Sequence, residues 1–261
     1  MLATQRQSLI LEQVNSSGAA RISELADVLK VSEMTIRRDI DVLVEQGLVD
    51  KVHGGATSAV GASTVSEPSF GAKTLRQQTT KDAIATLAAE LVSPGDSIAL
   101  MGGSTVYAVA RHLVDIPRLT VVTNSLPVGE LFHQQGRVDQ TIISAGGIRT
   151  PTDSFVGEFA IQVFNSLNID LVFMGSHGMD PEGGFSSPNI LESETNRAIR
   201  GRAKRVVILA DHTKWGEIGF STFGTLEDAD ILITDSGLAS DNLEHLRSRI
   251  DRVMVAPIPA A

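Results

Sequence analysis

Cysteine is absent from the 261 residues, which excludes disulfides, thiolate catalysis, zinc fingers and iron–sulfur clusters. Histidine is scarce: His53, His112, His133, His177, His212 and His245 stand singly, none in the i, i+4 pairing that suits a metal on a helix, so neither metal nor other cofactor is expected. No apolar run approaches the roughly 20 residues needed to cross a bilayer. The first residues lack the charged start, apolar stretch and small-residue cleavage site of a secretory leader. A cytoplasmic protein without membrane contact is therefore expected. Positive charge is also in short supply, with 22 Lys and Arg against 31 Asp and Glu for a net charge of -9. Such a balance argues against a general nucleic-acid coat protein, because non-specific affinity comes from neutralised phosphates.

What is present is a chain 42% hydrophobic, enough to bury a full core in one large domain or two unequal ones. The stretch 54–72, GGATSAVGASTVSEPSFGA, is rich in Gly, Ala, Ser and Thr and suits a connector better than a core element. Three segments are expected: a compact helical domain over 1–56, a linker over 57–72 and a larger domain over 73–261. In the last, short apolar runs recur at SIALM (97–101), LTVVT (119–123), TIISA (141–145), DLVFM (170–174), RVVILA (205–210), DILIT (230–234) and RVMVA (252–256). Most are separated by stretches long enough for a helix. Near-continuous apolar strands alternating with helices are what a parallel sheet covered on both faces requires, so the larger domain reads as open α/β, Rossmann-like and mostly parallel.

In the first domain, Leu9, Ile10 and Val14 give one helical pattern and Ile22, Leu25, Ala26 and Leu29 a second. Ser32 is placed to cap a third helix, with Thr35 where a capping box would prefer Glu or Gln. Met34, Ile36, Ile40, Leu43 and Val44 are its expected buried stripe, Glu33, Thr35, Arg37, Arg38 and Asp41 its outer face, and Gly47 its end. Two helices joined by a tight turn, the second opening with polar and basic groups, form a helix-turn-helix, which inserts the start of its second helix into the major groove. Ser32, Glu33, Thr35, Arg37 and Arg38 are thus the candidate DNA contacts. The run LVDKV (48–52) and the His53-Gly54-Gly55 turn suggest a wing from which Lys51 and His53 reach phosphates. Residues 1–56 nevertheless hold six basic groups against eight acidic ones. Placement must do what total charge cannot. The competing reading of this unit is a small oligomerisation module with Arg37 and Arg38 paired to Asp39 and Asp41.

In the larger domain the strand ends are polar or glycine-rich: Gly102, Gly103, Ser104 and Thr105; Thr123, Asn124 and Ser125; Gly146, Gly147 and Arg149; Gly175 and His177; and the loop carrying Lys214. Ligands of open α/β sheets gather at the carboxyl ends of strands, and a glycine turn running into a helix N-terminus favours an anion. The first turn is neither a Walker loop nor a dinucleotide fingerprint. A small, hydroxylated, anionic ligand fits these groups, with Lys214 as candidate partner of its phosphate. The basic run Arg197, Arg200, Arg202, Lys204 and Arg205 reads mainly as a helix end whose cations offset the macrodipole.

The segment VSEMTIRRDIDVLVEQGLVDKVHGGA (31–56) resembles the helix-turn-helix signature of the DeoR family of repressors. The stretches GDSIALMGGST (95–105), LTVVTNS (119–125), AGGIR (145–149), DSFVGE (153–158), DLVFMGSHGM (170–179) and ILADHTKWG (208–216) are similar to that family's C-terminal sensor domain. The chain departs from the family at Met101-Gly102-Gly103, where Asp-Ser-Gly is frequent. The resemblance implies a winged helix-turn-helix joined to a sensor with the fold of ribose-5-phosphate isomerase. It also implies operator double-stranded DNA as partner, a phosphorylated sugar or polyol as effector, and a homodimer or homotetramer that represses a carbohydrate operon. The alternative is a sugar-phosphate isomerase. Proton transfer at a sugar carbon needs a positioned carboxylate base, and GSHGMDPEGG (175–184) lacks the acidic loop of such enzymes. A regulator, not an enzyme, is expected.

Overall fold

The computed structural model describes residues 2–17, 19–52, 54–58 and 70–258. The chain divides into two compact units, Met1–Gln78 and Thr79–Ala261.

The first unit runs α1 (Ala3–Ser17), β1 (Ala19–Arg21), α2 (Ile22–Leu29), α3 (Glu33–Glu45), β2 (Val49–Val52), β3 (Gly55–Ser58) and α4 (Phe70–Leu75). Ile10, Leu11 and Val14 of α1 pack with Ile22, Leu25 and Leu29 of α2 and Ile36, Ile40 and Leu43 of α3. These positions follow the i, i+3, i+4, i+7 spacing of one helix face. The same phase corrects two expectations. Leu9 is 41% exposed and Leu11 takes its place, while Met34 is 70% exposed, because it lies about 200° around the helix from Ile36. Val44 is only partly buried against this core.

The turn between α2 and α3 is closed by Lys30 in the left-handed region (φ 54°) and by Val31 N–H donating to Ala26 O at 3.1 Å. Ser32 then caps α3, its Oγ accepting from Thr35 N–H at 3.2 Å. At the far end Gly47 has φ +69°. Gly47 N–H donates to Val44 O and Leu48 N–H to Leu43 O, both at 2.9 Å. This pairing is a Schellman stop, for which glycine is the favoured residue. The wing has three strands, β2 and β3 antiparallel with Val52 opposite Gly55, and β1 antiparallel to β3 with Arg21 opposite Gly55. Strand β3 covers residues 57 and 58, and α4 opens at Phe70; residues 59–69 lie outside the described residues.

The second unit contains α5 (Gln78–Ala89), β4 (Ser97–Leu100), α6 (Ser104–Leu113), β5 (Thr120–Thr123), α7 (Leu126–Gln135), β6 (Thr141–Ser144), β7 (Ile148–Arg149), β8 (Phe155–Val156), α8 (Glu158–Asn165), β9 (Ile169–Gly175), β10 (Gly178–Asp180), β11 (Gly184–Ser187), α9 (Ile190–Arg200), β12 (Ala203–Leu209), β13 (Ser221–Gly224), β14 (Ile231–Asp235), α10 (Ser240–Arg249) and β15 (Arg252–Ala256). Seven strands form one sheet in the order β15-β14-β12-β9-β4-β5-β6, every neighbouring pair parallel. All seven apolar runs identified in the sequence supply its strands.

Alternate strand residues serve opposite faces, as the two-residue period demands. Ile98, Leu100, Leu171, Phe173, Val207 and Leu209 pack with residues of α5, α6 and α7. Ala99, Val172, Met174, Val206 and Ile208 pack with residues of α8, α9 and α10. The chain builds β4, β5 and β6 in one direction, then returns to place β9, β12, β14 and β15 on the other side of β4. Strand order therefore reverses between β4 and β9, the kind of point where open α/β sheets part to admit a ligand. Two smaller antiparallel sheets, β7-β8 and β10-β11-β13, complete the unit.

Candidate DNA-binding helix and effector site

Helix α3 presents Glu33, Met34, Arg37, Arg38 and Asp41 outward, with Thr35 half-buried. Ser32 is exposed but occupied as the cap, and its hydroxyl also lies 2.9 Å from Thr35 Oγ1. Arg37 pairs with Glu33 one turn earlier at 3.7 Å, and Lys51 on the wing pairs with Asp41. Both pairs are half-exposed, so their mutual attraction is weak and readily exchanged for a phosphate. Arg38 has no acidic partner among the described residues. His53 lies outside them.

Asp39 behaves differently from the acids around it. It sits on the buried stripe between Ile36 and Ile40, 4% exposed. Its carboxylate accepts from Arg6 Nε at 2.5 Å and Nη2 at 3.1 Å, and from Gln7 Nε2 at 3.3 Å. The hydrogen bond that Arg6 donates to Asp39 raises the guanidinium pKa against the opposing effect of burial. This fork ties α1 to the helix that carries Arg37 and Arg38. The pairings that the competing reading gave Arg37 and Arg38 are not formed: Asp39 is held by Arg6 and Gln7, and Asp41 by Lys51. The signal was available: a carboxylate at the i+3 position of an apolar i, i+4 pair must find a buried partner.

At the carboxyl ends of β4 and β5, side chain and backbone are interlocked. Gly102 N–H donates to Asn124 Oδ1 at 2.9 Å, Asn124 Nδ2 donates to Phe155 O at 2.8 Å, and Phe155 N–H donates to Asn124 O at 2.7 Å. A Cβ on Gly102 would stand 1.9 Å from Ser154 Oγ, so only glycine fits. That hydroxyl is buried and has no hydrogen-bond partner among the described residues. Gly103 (φ 139°) leads into α6 without any side-chain cap, leaving the first-turn amides of Ser104 and Thr105 without a capping side chain.

Several predicted residues serve the frame instead. Thr123 Oγ1 donates to Leu100 O at 2.6 Å and accepts from Ser125 N–H at 3.0 Å, and Ser125 Oγ caps α7 through Val128 N–H at 3.4 Å. Gly147 lies against the β8 backbone, where a Cβ would be 2.5 Å from Val156 O. Arg149 donates from Nε to Asp153 at 2.8 Å. Gly146 is exposed beside them.

Further along the edge, Gly175 ends β9, and His177 N–H donates to Ser186 O at 3.0 Å. Lys214 closes a single turn, His212–Lys214, that Asp211 caps through Thr213 N–H at 3.0 Å. It has no acidic partner among the described residues. A cleft of about 370 Å³ is lined by Thr123, Asn124, Ser125, Leu126, Gly129, Glu130, His133, Ile142, Ser144 and Phe155. It gathers three of the predicted residues but lies beside β5 and β6, away from the reversal between β4 and β9. The Gly102, Gly175 and Lys214 groups belong to the reversal itself and to the adjoining strand.

Two polar assemblies escaped the sequence reading. Asp235, fully buried at the end of β14, accepts from His212 N–H and Gly237 N–H, each at 2.8 Å. It also faces His212 Nδ1 at 2.8 Å. Glu192 accepts from Thr152 Oγ1 at 3.1 Å and Ser187 Oγ at 2.7 Å. Each includes a pairing across 23 or 40 positions, His212 with Asp235 and Thr152 with Glu192, that no local pattern signals. The basic run of α9 and β12 is largely tied down: Arg197 donates to Thr222 O at 2.5 Å, Arg200 pairs with Asp228 and Lys204 with Asp170 at 2.7 Å. Asp96, at the opposite end of β4, accepts from Ser93 N–H at 2.8 Å and takes no part in the edge.

A winged helix-turn-helix followed by a doubly wound sheet defines a DNA-binding transcription regulator with its own sensor domain. Residues 6–60 match the DeoR-like helix-turn-helix domain and residues 76–236 the DeoR C terminal sensor domain. The chain belongs to the DeoR family of transcriptional regulators. It is 38% identical over 239 residues to the uncharacterized HTH-type transcriptional regulator YgbI of Escherichia coli (strain K12), covering 91% of this chain and 92% of that one. It is 32% identical over 237 residues to the glycerol-3-phosphate regulon repressor of the same strain, covering 90% and 92%. The chain is accordingly a regulator and not an enzyme. A solved ribose 5 phosphate isomerase A from Neisseria gonorrhoeae overlaps 52% of each chain at 17% identity and a TM-score of 0.38, a likeness too slight to bear on function. No helix among the described residues is long and apolar enough to cross a membrane.

Proposed function

We propose that the protein is a cytoplasmic repressor of a sugar or polyol operon, released from its operator by a phosphorylated sugar or polyol held at the carboxyl edge of the parallel sheet. The observation that carries this reading is the open start of α6: amides without a capping side chain behind Gly102 and Gly103, beside the unpartnered Ser154 hydroxyl, at the point where strand order reverses. Helix N-termini favour phosphate through their free N–H groups and dipole. Lys214 supplies a cation from the loop after β12, and Asn124, Gly175 and His177 border the same edge. Thr123, Ser125, Gly146, Gly147 and Arg149 support it. The name of the glycerol-3-phosphate regulon repressor agrees with a small phosphorylated ligand.

On the DNA side, Thr35, Arg37 and Arg38 read or clamp the major groove, Glu33 sets Arg37, and Lys51 with His53 meets phosphates from the wing. A homodimer or homotetramer places two such helices at half-sites about 34 Å apart, or a multiple of that spacing. The DNA-binding domain expected over 1–56 takes in the rest of strand β3 as far as Ser58, so the connector expected over 57–72 begins after it, with the sensor expected over 73–261 following.

The test is a pair of titrations on the full chain with glycerol 3-phosphate, a set of pentose and hexose phosphates, and their unphosphorylated forms. A true effector raises the melting temperature and weakens operator binding, and both responses disappear in Lys214→Ala. Ligands that bind without changing operator affinity contradict the proposal, since coupling requires different affinities in the DNA-bound and released states.

A further inference from the structure

We infer that Met34 is a specificity-determining residue that contacts the C5 methyl group of a thymine in the operator. It is the second residue of α3 and is 70% exposed, while Ile36, Ile40 and Leu43 of the same helix are fully buried. Its face is shared with Arg37 and Arg38, three and four positions on, the spacing that brings helical side chains together. Single exposed apolar side chains are ordinary on a protein surface; the position of this one is what matters. The N-terminal residues of the second helix of a helix-turn-helix meet base edges. At that end Ser32 is used as the cap and Glu33 faces Arg37, so the large side chain left to reach into the groove is a thioether. Arg37 and Arg38 match the phosphates and guanine edges that flank it. The major groove offers an apolar side chain one distinctive partner, the methyl group of thymine.

The inference rests on α3 being the recognition helix, and the experiment separates the two. Duplexes are selected from a random pool by the wild-type full chain. Each thymine of the winning sequence is then replaced singly by deoxyuridine, which removes only the methyl group. Binding of wild type, Met34→Leu and Met34→Ala is measured at one salt concentration. At one thymine per half-site, deoxyuridine weakens wild-type binding about fourfold, the worth of one buried methyl. Met34→Leu keeps that sensitivity. Met34→Ala binds more weakly and is indifferent to the replacement. A Met34→Ala variant that responds to every replacement as the wild type does, or selected half-sites without thymine, overturns the assignment. If Arg37→Ala and Arg38→Ala leave binding of the selected duplex unchanged, the recognition-helix reading itself fails and the inference falls with it.

Discussion

In the helix-turn-helix unit the groups proposed to meet DNA are charged side chains on one helix and a wing, whereas those proposed for the effector at the sheet edge are mostly main-chain amides and hydroxyls. The first arrangement is loose on its surface and rigid beneath it. Arg37 and Lys51 rest in exposed pairs with Glu33 and Asp41, while Asp39 is locked to Arg6 below them. Around β4, β5 and β9 the sheet distributes its charges by end. At the amino ends of its strands Asp170 accepts from Ser97 Oγ at 2.6 Å and from Lys204 Nζ at 2.7 Å, stapling β9 to β4 and β12. At the carboxyl ends of β4 and β5 the bonds from Gly102, Thr123 and Asn124 are between neutral groups. The contrast separates charge used for holding from charge kept for a partner. On the proposed reading, a net negative domain reaches DNA because its exposed acids hold their cations weakly.

The comparison can be broken most severely at Asp39. Replacing it by alanine strands a largely buried arginine, for which about 3 kcal/mol of destabilisation is expected. Denaturant melts should show the loss in the first unit, together with loss of operator binding. Next is Gly102→Ala, which drives a methyl group into Ser154 and should cost about 1 to 3 kcal/mol. Adding Ser154→Gly should recover much of the stability, as read by thermal melts of both variants. Effector binding should not recover, because the hydroxyl is gone.

A smaller effect concerns acid. Lys204, then Ser97, holds the Asp170 carboxyl well below the usual carboxylate range. A carboxylate with a lowered folded pKa adds stability that is complete above its unfolded value, about 3.9, and is lost as the pH falls toward the folded value. Asp170→Asn should therefore be less stable than wild type at neutral pH, with the gap narrowing below about pH 4. Melts across that range check it. The smallest effect is expected for Glu33→Gln, which frees Arg37 from a pair worth a few tenths of a kcal/mol. Operator affinity should rise about twofold, with non-specific affinity rising at least as much.

Legibility in the sequence followed the same division. Helices α2 and α3, the Ser32 cap and the Gly47 stop were readable because each depends on residues within one turn of another. The seven parallel strands were readable because strands buried on both faces are continuous apolar runs. The exposure of Met34 was readable too, from the phase that Ile36, Ile40 and Leu43 set, but the phase of α1 was not, because adjacent Leu9, Ile10 and Leu11 do not reveal which of them faces the core. The strands Ala19–Arg21, Ile148–Arg149 and Phe155–Val156 are two or three residues long, too short for any alternation to show. At the sheet edge the glycines and hydroxyls were located, but their tasks depend on Ser154, Phe155 and Leu100, which are distant in sequence.

The most direct measurement is operator affinity of the double variant Arg37→Ala/Arg38→Ala beside wild type, on one duplex and at one salt concentration. Arginines that read or clamp DNA are worth about 1 to 3 kcal/mol each. The account predicts a loss on the order of a hundredfold or more, with the melting temperature unchanged, since both side chains are exposed. Operator binding that survives the double substitution intact would contradict it.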